Sequence, residues 1–195
     1  MEFQDVIRKR RMWRNFEDRP VPPAVLERIL DNAQRAPSAG FSQGWAFLVL
    51  EGPEQTGRFW AAAPAPTGAR ATWPGVMRAP VLIVCLSHKQ AYLDRYAEPD
   101  KGWTDRDEAR WPTPYWHVDT AFAALNIMLT AVDAGLGALF FGVFDIPAFR
   151  AAFGVPDAYH PIGVVALGYP LPDTPSPSLK RGRRPAESVV HRGHW

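Results

Sequence analysis

Three short apolar runs set the tightest limit on what this chain can fold into: Trp45-Ala46-Phe47-Leu48-Val49-Leu50, Val81-Leu82-Ile83-Val84-Cys85-Leu86 and Ile162-Gly163-Val164-Val165-Ala166-Leu167. Each has the length of a strand, and none alternates with polar residues, the pattern of strands covered on both faces. Helical periodicity appears between them. Leu26, Ile29, Leu30 and Ala33 recur at i, i+3, i+4 and i+7 after Pro22-Pro23, and Pro37 ends that helix. Val118, Ala121, Phe122, Leu125, Leu129 and Val132 mark a longer helix closed by Gly135. Phe3, Val6 and Ile7 suggest a short one, and another is expected around Glu54 to Ala62, ahead of a loop from Ala63 to Thr72. Ala138-Leu139-Phe140-Phe141 reads as a fourth strand. Asp145 then caps a helix with Pro147 in its first turn and Gly154 at its end. Helices and strands in this order imply a single α+β or α/β sandwich over residues 1–195, long enough to bury roughly 70% of its unfolded surface.

Composition removes several classes of function. Lys+Arg 22 and Asp+Glu 20 nearly cancel, too even a balance for a protein that grips many nucleic-acid phosphates. No apolar run is long enough to span a membrane, and the first residues lack the apolar core of a signal peptide, so a cytoplasmic protein is expected. Cys85 is the only cysteine and lies inside an apolar run, which points to a buried structural thiol in a reducing compartment.

Charge is concentrated at two places. Arg8-Lys9-Arg10-Arg11-Met12-Trp13-Arg14 lies near the start, and Lys180-Arg181-Gly182-Arg183-Arg184 lies in a Pro/Ser/Arg-rich tail from Leu171 onward. Convergence of both on one phosphate would suit the planar arginine forks. Solvated faces and a nucleic-acid footprint remain open on charge alone. Residues 88–117 show no clear period and mix Tyr92, Tyr96, Trp103, Trp111, Tyr115 and Trp116 with charges. They read as a surface excursion, either a lid over a site or an insertion packed by its own aromatics. Walker, dinucleotide, zinc-protease and nucleophile-elbow motifs are absent. The five histidines show no metal-ligand spacing. Any chemistry would therefore belong to a bound cofactor.

Six stretches, taken in order, resemble the FMN-dependent nitroreductase family. They are Arg10-Arg11-Met12-Trp13-Arg14-Asn15-Phe16, Ala36-Pro37-Ser38-Ala39-Gly40-Phe41-Ser42-Gln43-Gly44-Trp45, Gly135-Leu136-Gly137, Gly142-Val143-Phe144-Asp145, Gly163 to Pro170, and Arg181-Gly182-Arg183-Arg184-Pro185 to Val190. The resemblance implies a three-layer α+β sandwich with a central mixed, mainly antiparallel sheet. It also implies an intertwined homodimer, with residues 171–195 wrapping the partner subunit and one FMN at each interface.

Carried over by position, Arg10, Arg11, Met12 and Arg14 would meet the phosphate, ribityl chain and pyrimidine edge, and Arg181 and Arg183 would close on the phosphate. Pro37, Ser38 and Ala39 would come from the partner subunit and line the flavin's face, and Phe41 and Gln43 would also meet the cofactor. Phe141, Gly142 and Val143 would border the flavin, with the Gly142 N–H near N5. Phe41, Trp103, Trp111, Tyr115 and Trp116 would form the substrate wall. Met12, Phe41 and Gly44 stand where the family has serine, asparagine and proline. The implied activity is hydride transfer from NAD(P)H through FMN to a small electron-poor acceptor such as a nitroaromatic or quinone. Alternatives are another flavin reaction of the same family or a non-catalytic flavin-binding protein.

Overall fold

A computed structural model describes residues 1–64 and 74–195, so most of the loop expected from Ala63 to Thr72 lies outside the described residues. Four strands, β1 (Trp45–Glu51), β2 (Val81–His88), β3 (Gly137–Phe141) and β4 (Tyr159–Gly168), form one sheet in the order β1-β2-β4-β3. Every pairing in it is antiparallel. The expected parallel component is reduced to one isolated bridge, Met12 to Ala138. The central strands β2 and β4 are buried on both faces as their apolar runs imply, and the register shifts once between Cys85 and Leu86. β1 departs from that expectation: it is an edge strand, half-buried along Trp45 to Val49 and buried only at Leu50, because a single strand neighbours it.

Strand alternation divides the core into two layers. Ile83, Cys85, Val165 and Leu167 pack beneath α2 (Pro23–Gln34) and α5 (Tyr115–Asp133), against Ile29, Ala33, Ile127 and Ala131. Leu82, Val84, Val164 and Ala166 face α3 (Gly52–Ala62) and α6 (Ile146–Phe153), through Phe59, Trp60 and Phe149. Phe59 and Phe149 are wholly buried and meet edge to face at 6.0 Å. Burying each contributes roughly 1.5–3 kcal/mol. Burial pushes the Cys85 thiol up to about 12, which leaves it inert in the α2/α5 layer.

The ends of α6 follow the sequence closely: the Asp145 carboxylate accepts the Ala148 N–H at 3.0 Å, and Gly154 adopts the left-handed conformation. Residues 88–117 depart from expectation. α4 (Lys89–Ala97) occupies the beginning of this stretch, with a single 3₁₀ turn at Glu108–Arg110 farther on. Its buried residues, Tyr92 and Leu93, form too narrow a stripe to reveal a helical period among the charges. α1 (Phe3–Lys9) lies against α5 and leads directly into the basic stretch.

Candidate functional site

The basic stretch is held from both flanks. On one side Met12 pairs with Ala138 at the start of β3, and the Trp13 N–H donates to the Ala138 carbonyl at 3.0 Å. Gly137 makes room for the Trp13 ring, since a Cβ there would sit 2.9 Å from the indole Cγ. On the other side the chain leaving β4 runs antiparallel to it. The Glu17 N–H donates to Tyr169, the Leu171 N–H to Asn15, and the Asn15 side-chain amide to Pro172. Asp173 completes this seam by accepting the Arg14 N–H at 2.8 Å and pairing with the Arg11 guanidinium, which also lies over the Trp13 ring.

This seam brings the two charged ends together. Arg10, Arg11, Met12, Arg14 and Arg183 share the wall of one cavity of about 490 Å³ with Ser176 and Ser178. Arg183 reaches the cavity because the chain turns sharply at Gly182, at φ 67 and ψ −173, a conformation open essentially to glycine. Arg181 is the last residue of the preceding 3₁₀ turn, is exposed, and does not line this wall. The Arg14 pKa is lowered, first by burial and then by repulsion from Arg11. Asp173 is the carboxylate that offsets part of this charge. Among the described residues Arg10 and Arg183 have no ion-pair partner. Such a cluster favours a multivalent anion, and guanidinium forks match phosphate oxygens in geometry.

At the last residue of β3, Phe141 stacks on Trp60 with ring centroids 5.3 Å apart. Gly142 follows it, exposed and facing open space, and Val143 is half-buried. Gly142 lies four residues beyond Ala138, roughly 13 Å along an extended strand.

The stretch from Pro37 to Gln43 lies elsewhere. It enters β1 at Trp45, which pairs with Ser87, at the end of the sheet where β4 begins rather than where it finishes. Buried Asp119 on α5 anchors it by accepting the Ala39 N–H and the Tyr92 hydroxyl, both at 2.8 Å. Burial, then the hydrogen bond to Asp119, raises the Tyr92 pKa. Ser38 Oγ accepts the Gln43 N–H, and Arg95 Nε donates to the Gly40 carbonyl. Phe41 and Gln43 have φ of 57 and 50. An aromatic residue in this region is strained, a cost that clusters at ligand-contacting loops. Phe41 is nonetheless 74% exposed, so it holds that conformation without burying its ring in its own chain.

The aromatic residues of 88–117 pack on one another. Trp111 is the hub, 4.5 Å from Tyr96, 5.5 Å from Trp103, 5.9 Å from Tyr115 and 6.1 Å from Trp116 between ring centroids. This cluster braces the Pro37–Gln43 loop through Tyr96, against which Gly40 sits too closely for any side chain. Asp119 and Asp173 were not singled out by the sequence patterns. Their only signals are an acid within an apolar helical stripe and an acid in a basic tail.

Residues 7–169 match the Nitroreductase family. This chain belongs to the nitroreductase family. A relative from Methanothermobacter thermautotrophicus, assigned as an NADH dehydrogenase/NAD(P)H nitroreductase, is 31% identical over 87% of this chain and 78% of its own. The fold of this nitroreductase-family chain is shared with a nitroreductase family protein from Clostridium difficile 630, at TM-score 0.73 and 25% identity with both chains covered completely. It is also shared with a protein from Exiguobacterium sibiricum, assigned as a nitroreductase and crystallised in complex with FMN. That match has TM-score 0.74 and 19% identity, covering 98% of this chain and 97% of the other.

Proposed function

We propose that this chain is an NAD(P)H-dependent oxidoreductase that binds FMN, and that works as a homodimer on a small electron-poor acceptor in the cytoplasm. The observation that carries this reading is the meeting of Arg10, Arg14 and Arg183, from opposite ends of the chain, on one cavity. The donor set fits the group. Arg10, Arg183 and Arg14 would hold the phosphate and ribityl oxygens, while Asp173 keeps Arg11 beside them. FMN, when bound, supplies a ring that takes up a hydride and passes it on. The chain's own contribution is to orient that ring, with Gly142 at the open end of β3 offering a backbone N–H and no side chain.

A dimer is supported by what one chain leaves unfinished. The Pro37–Gln43 loop is at the opposite end of the sheet from the arginine cavity, so a second copy is needed to bring such a loop to it. Phe3 and Ile7 on α1 and Phe122 and Leu125 on α5 are exposed apolar residues suited to that contact. The tail beyond Gly182 also exposes Val189, Val190 and Trp195, in keeping with a segment that wraps another subunit. Phe41 and the aromatic cluster around Trp111 would then border the acceptor.

Titration of purified protein with FMN, followed by NADH or NADPH oxidation in the presence of a quinone, tests the reading. Saturable flavin uptake and acceptor-dependent turnover are expected. A well-folded protein that takes up no flavin would overturn it.

A further inference from the structure

A second cavity, of about 450 Å³, opens where β2 ends and β4 begins. Ser87 (β2), Lys89 (α4), His117 (α5), Arg150 (α6) and His160 (β4) all line it. It is far from the arginine cavity, because β4 extends eight residues from His160 to Gly168, roughly 26 Å.

One hydrogen-bond chain fixes the chemistry of its wall. Ser87 Oγ lies 3.2 Å from the His160 carbonyl oxygen and 2.9 Å from His117 Nδ1. A hydroxyl has a single proton, and a carbonyl can only accept. Both contacts are satisfied together only if Ser87 donates to His160 and His117 Nδ1–H donates to Ser87. His117 Nε2 is then left with its lone pair exposed to hydrogen-bond donors. Burial, then the neighbouring His160, lowers the His117 pKa and so favours the neutral ring. Ser87, 1% exposed and with its proton committed to a carbonyl, is no nucleophile. Among the described residues no group of side chains suits a metal ion.

Lys89 and Arg150 line the cavity around this acceptor together with Glu108 and Asp157, the carboxylates paired with them. Lys89 Nζ donates to Glu108 and has further N–H groups to offer. Arg150 is braced by donating to the Tyr159 carbonyl at 2.6 Å, while its ion-pair partner Asp157 is 99% exposed and 3.6 Å away. Among the described residues the His160 side chain makes no hydrogen bond, and its ring tilts against His117 with centroids 5.4 Å apart.

We infer that this cavity binds a small oxyanion that also carries a hydroxyl, its charge between Lys89 and Arg150 and its O–H donating to His117 Nε2. Phosphate and hydroxy-carboxylates share that chemistry. A carboxylate without a hydroxyl would leave Nε2 without a donor.

The His117 and His160 ring resonances, followed by NMR at constant ionic strength, report on this site alone and not on the arginine cavity. Added inorganic phosphate or lactate should produce a saturable shift of His117, and whichever saturates lower identifies the source. Lys89→Gln, at a half-exposed position, should weaken that binding about tenfold, the loss of one charge-assisted hydrogen bond. Arg183→Ala should leave it unchanged. Acetate should bind much more weakly. A shift equal to that given by matched chloride, or binding indifferent to Lys89→Gln, overturns the proposal, and saturation by acetate at the same concentration overturns the role of the hydroxyl.

Discussion

Arg11 and Asp173, 162 positions apart, form the ion pair that closes the seam between the two ends of the chain. The Asp173 side chain is 4% exposed and also accepts the Arg14 N–H, whereas that of Arg11 is 44% exposed. Asp173 is therefore the buried member, and losing it strands more than losing Arg11. Asp173→Ala should lower stability by about 1–3 kcal/mol in urea denaturation, and Arg11→Ala by less. The double variant should lose less than the sum of the two. Additive losses would mean that the pair is not a unit.

Arg10 and Arg183 are not tied into the seam, so they are free to serve an anion. Removing either should weaken FMN binding by about 1.5–3 kcal/mol, roughly ten- to more than a hundredfold in dissociation constant, with the far-ultraviolet circular dichroism unchanged. Arg11→Ala should have a smaller effect, because Asp173 already holds that guanidinium. Flavin fluorescence titration ranks the three variants, and the ranking separates phosphate ligands from the residue that fastens the tail.

Much of this arrangement is visible in the sequence. The strands announce themselves as unbroken apolar runs, although β1, which reads like β2 and β4, is a half-buried edge strand, and α2, α5 and α6 show period and caps. The two basic clusters are equally plain, and the structure places Arg10, Arg14 and Arg183 together. Long-range pairing was the missing information. Nothing local distinguishes Asp173 from any exposed acid, because its importance comes from Arg11 and Arg14 across the seam. Helix α4 was hidden for a different reason. Its core contacts are few, and Arg95, Asp94 and Lys89 satisfy partners in neighbouring turns, so charge obscures the period.

His117 gives the fold an acid sensitivity with a defined sign. Its folded pKa lies below the ordinary 6.5, because burial, then His160, disfavours the imidazolium. Between the folded and unfolded values the unfolded chain binds more protons, so stability rises with pH across that window. The contribution is complete above the unfolded value and is lost as pH falls through about 6.5 toward the folded one. His117→Gln should flatten the fall of the urea midpoint as pH drops below about 6.5. An unchanged slope would assign the sensitivity to another group.

Gly40 is where the aromatic cluster and the Pro37–Gln43 loop meet. It has φ 61, and a Cβ would lie 2.7 Å from Tyr96 Cε2. Gly40→Ala should therefore displace the loop, through both the left-handed backbone and the ring, at a cost of about 1–3 kcal/mol. Asp119→Ala reaches the same loop from beneath. It leaves the Ala39 N–H and the buried Tyr92 hydroxyl without their acceptor, which should cost about 2–4 kcal/mol. The two variants differ in what they loosen. Gly40→Ala keeps the Asp119 contact, so the Ala39 amide should stay protected from hydrogen exchange, whereas Asp119→Ala should expose it. In a dimer whose flavin site borrows this loop, both changes should raise the KM for the acceptor while FMN retention, set by the arginines, stays near that of the unaltered protein. Loss of flavin in either variant would place the loop in cofactor retention instead.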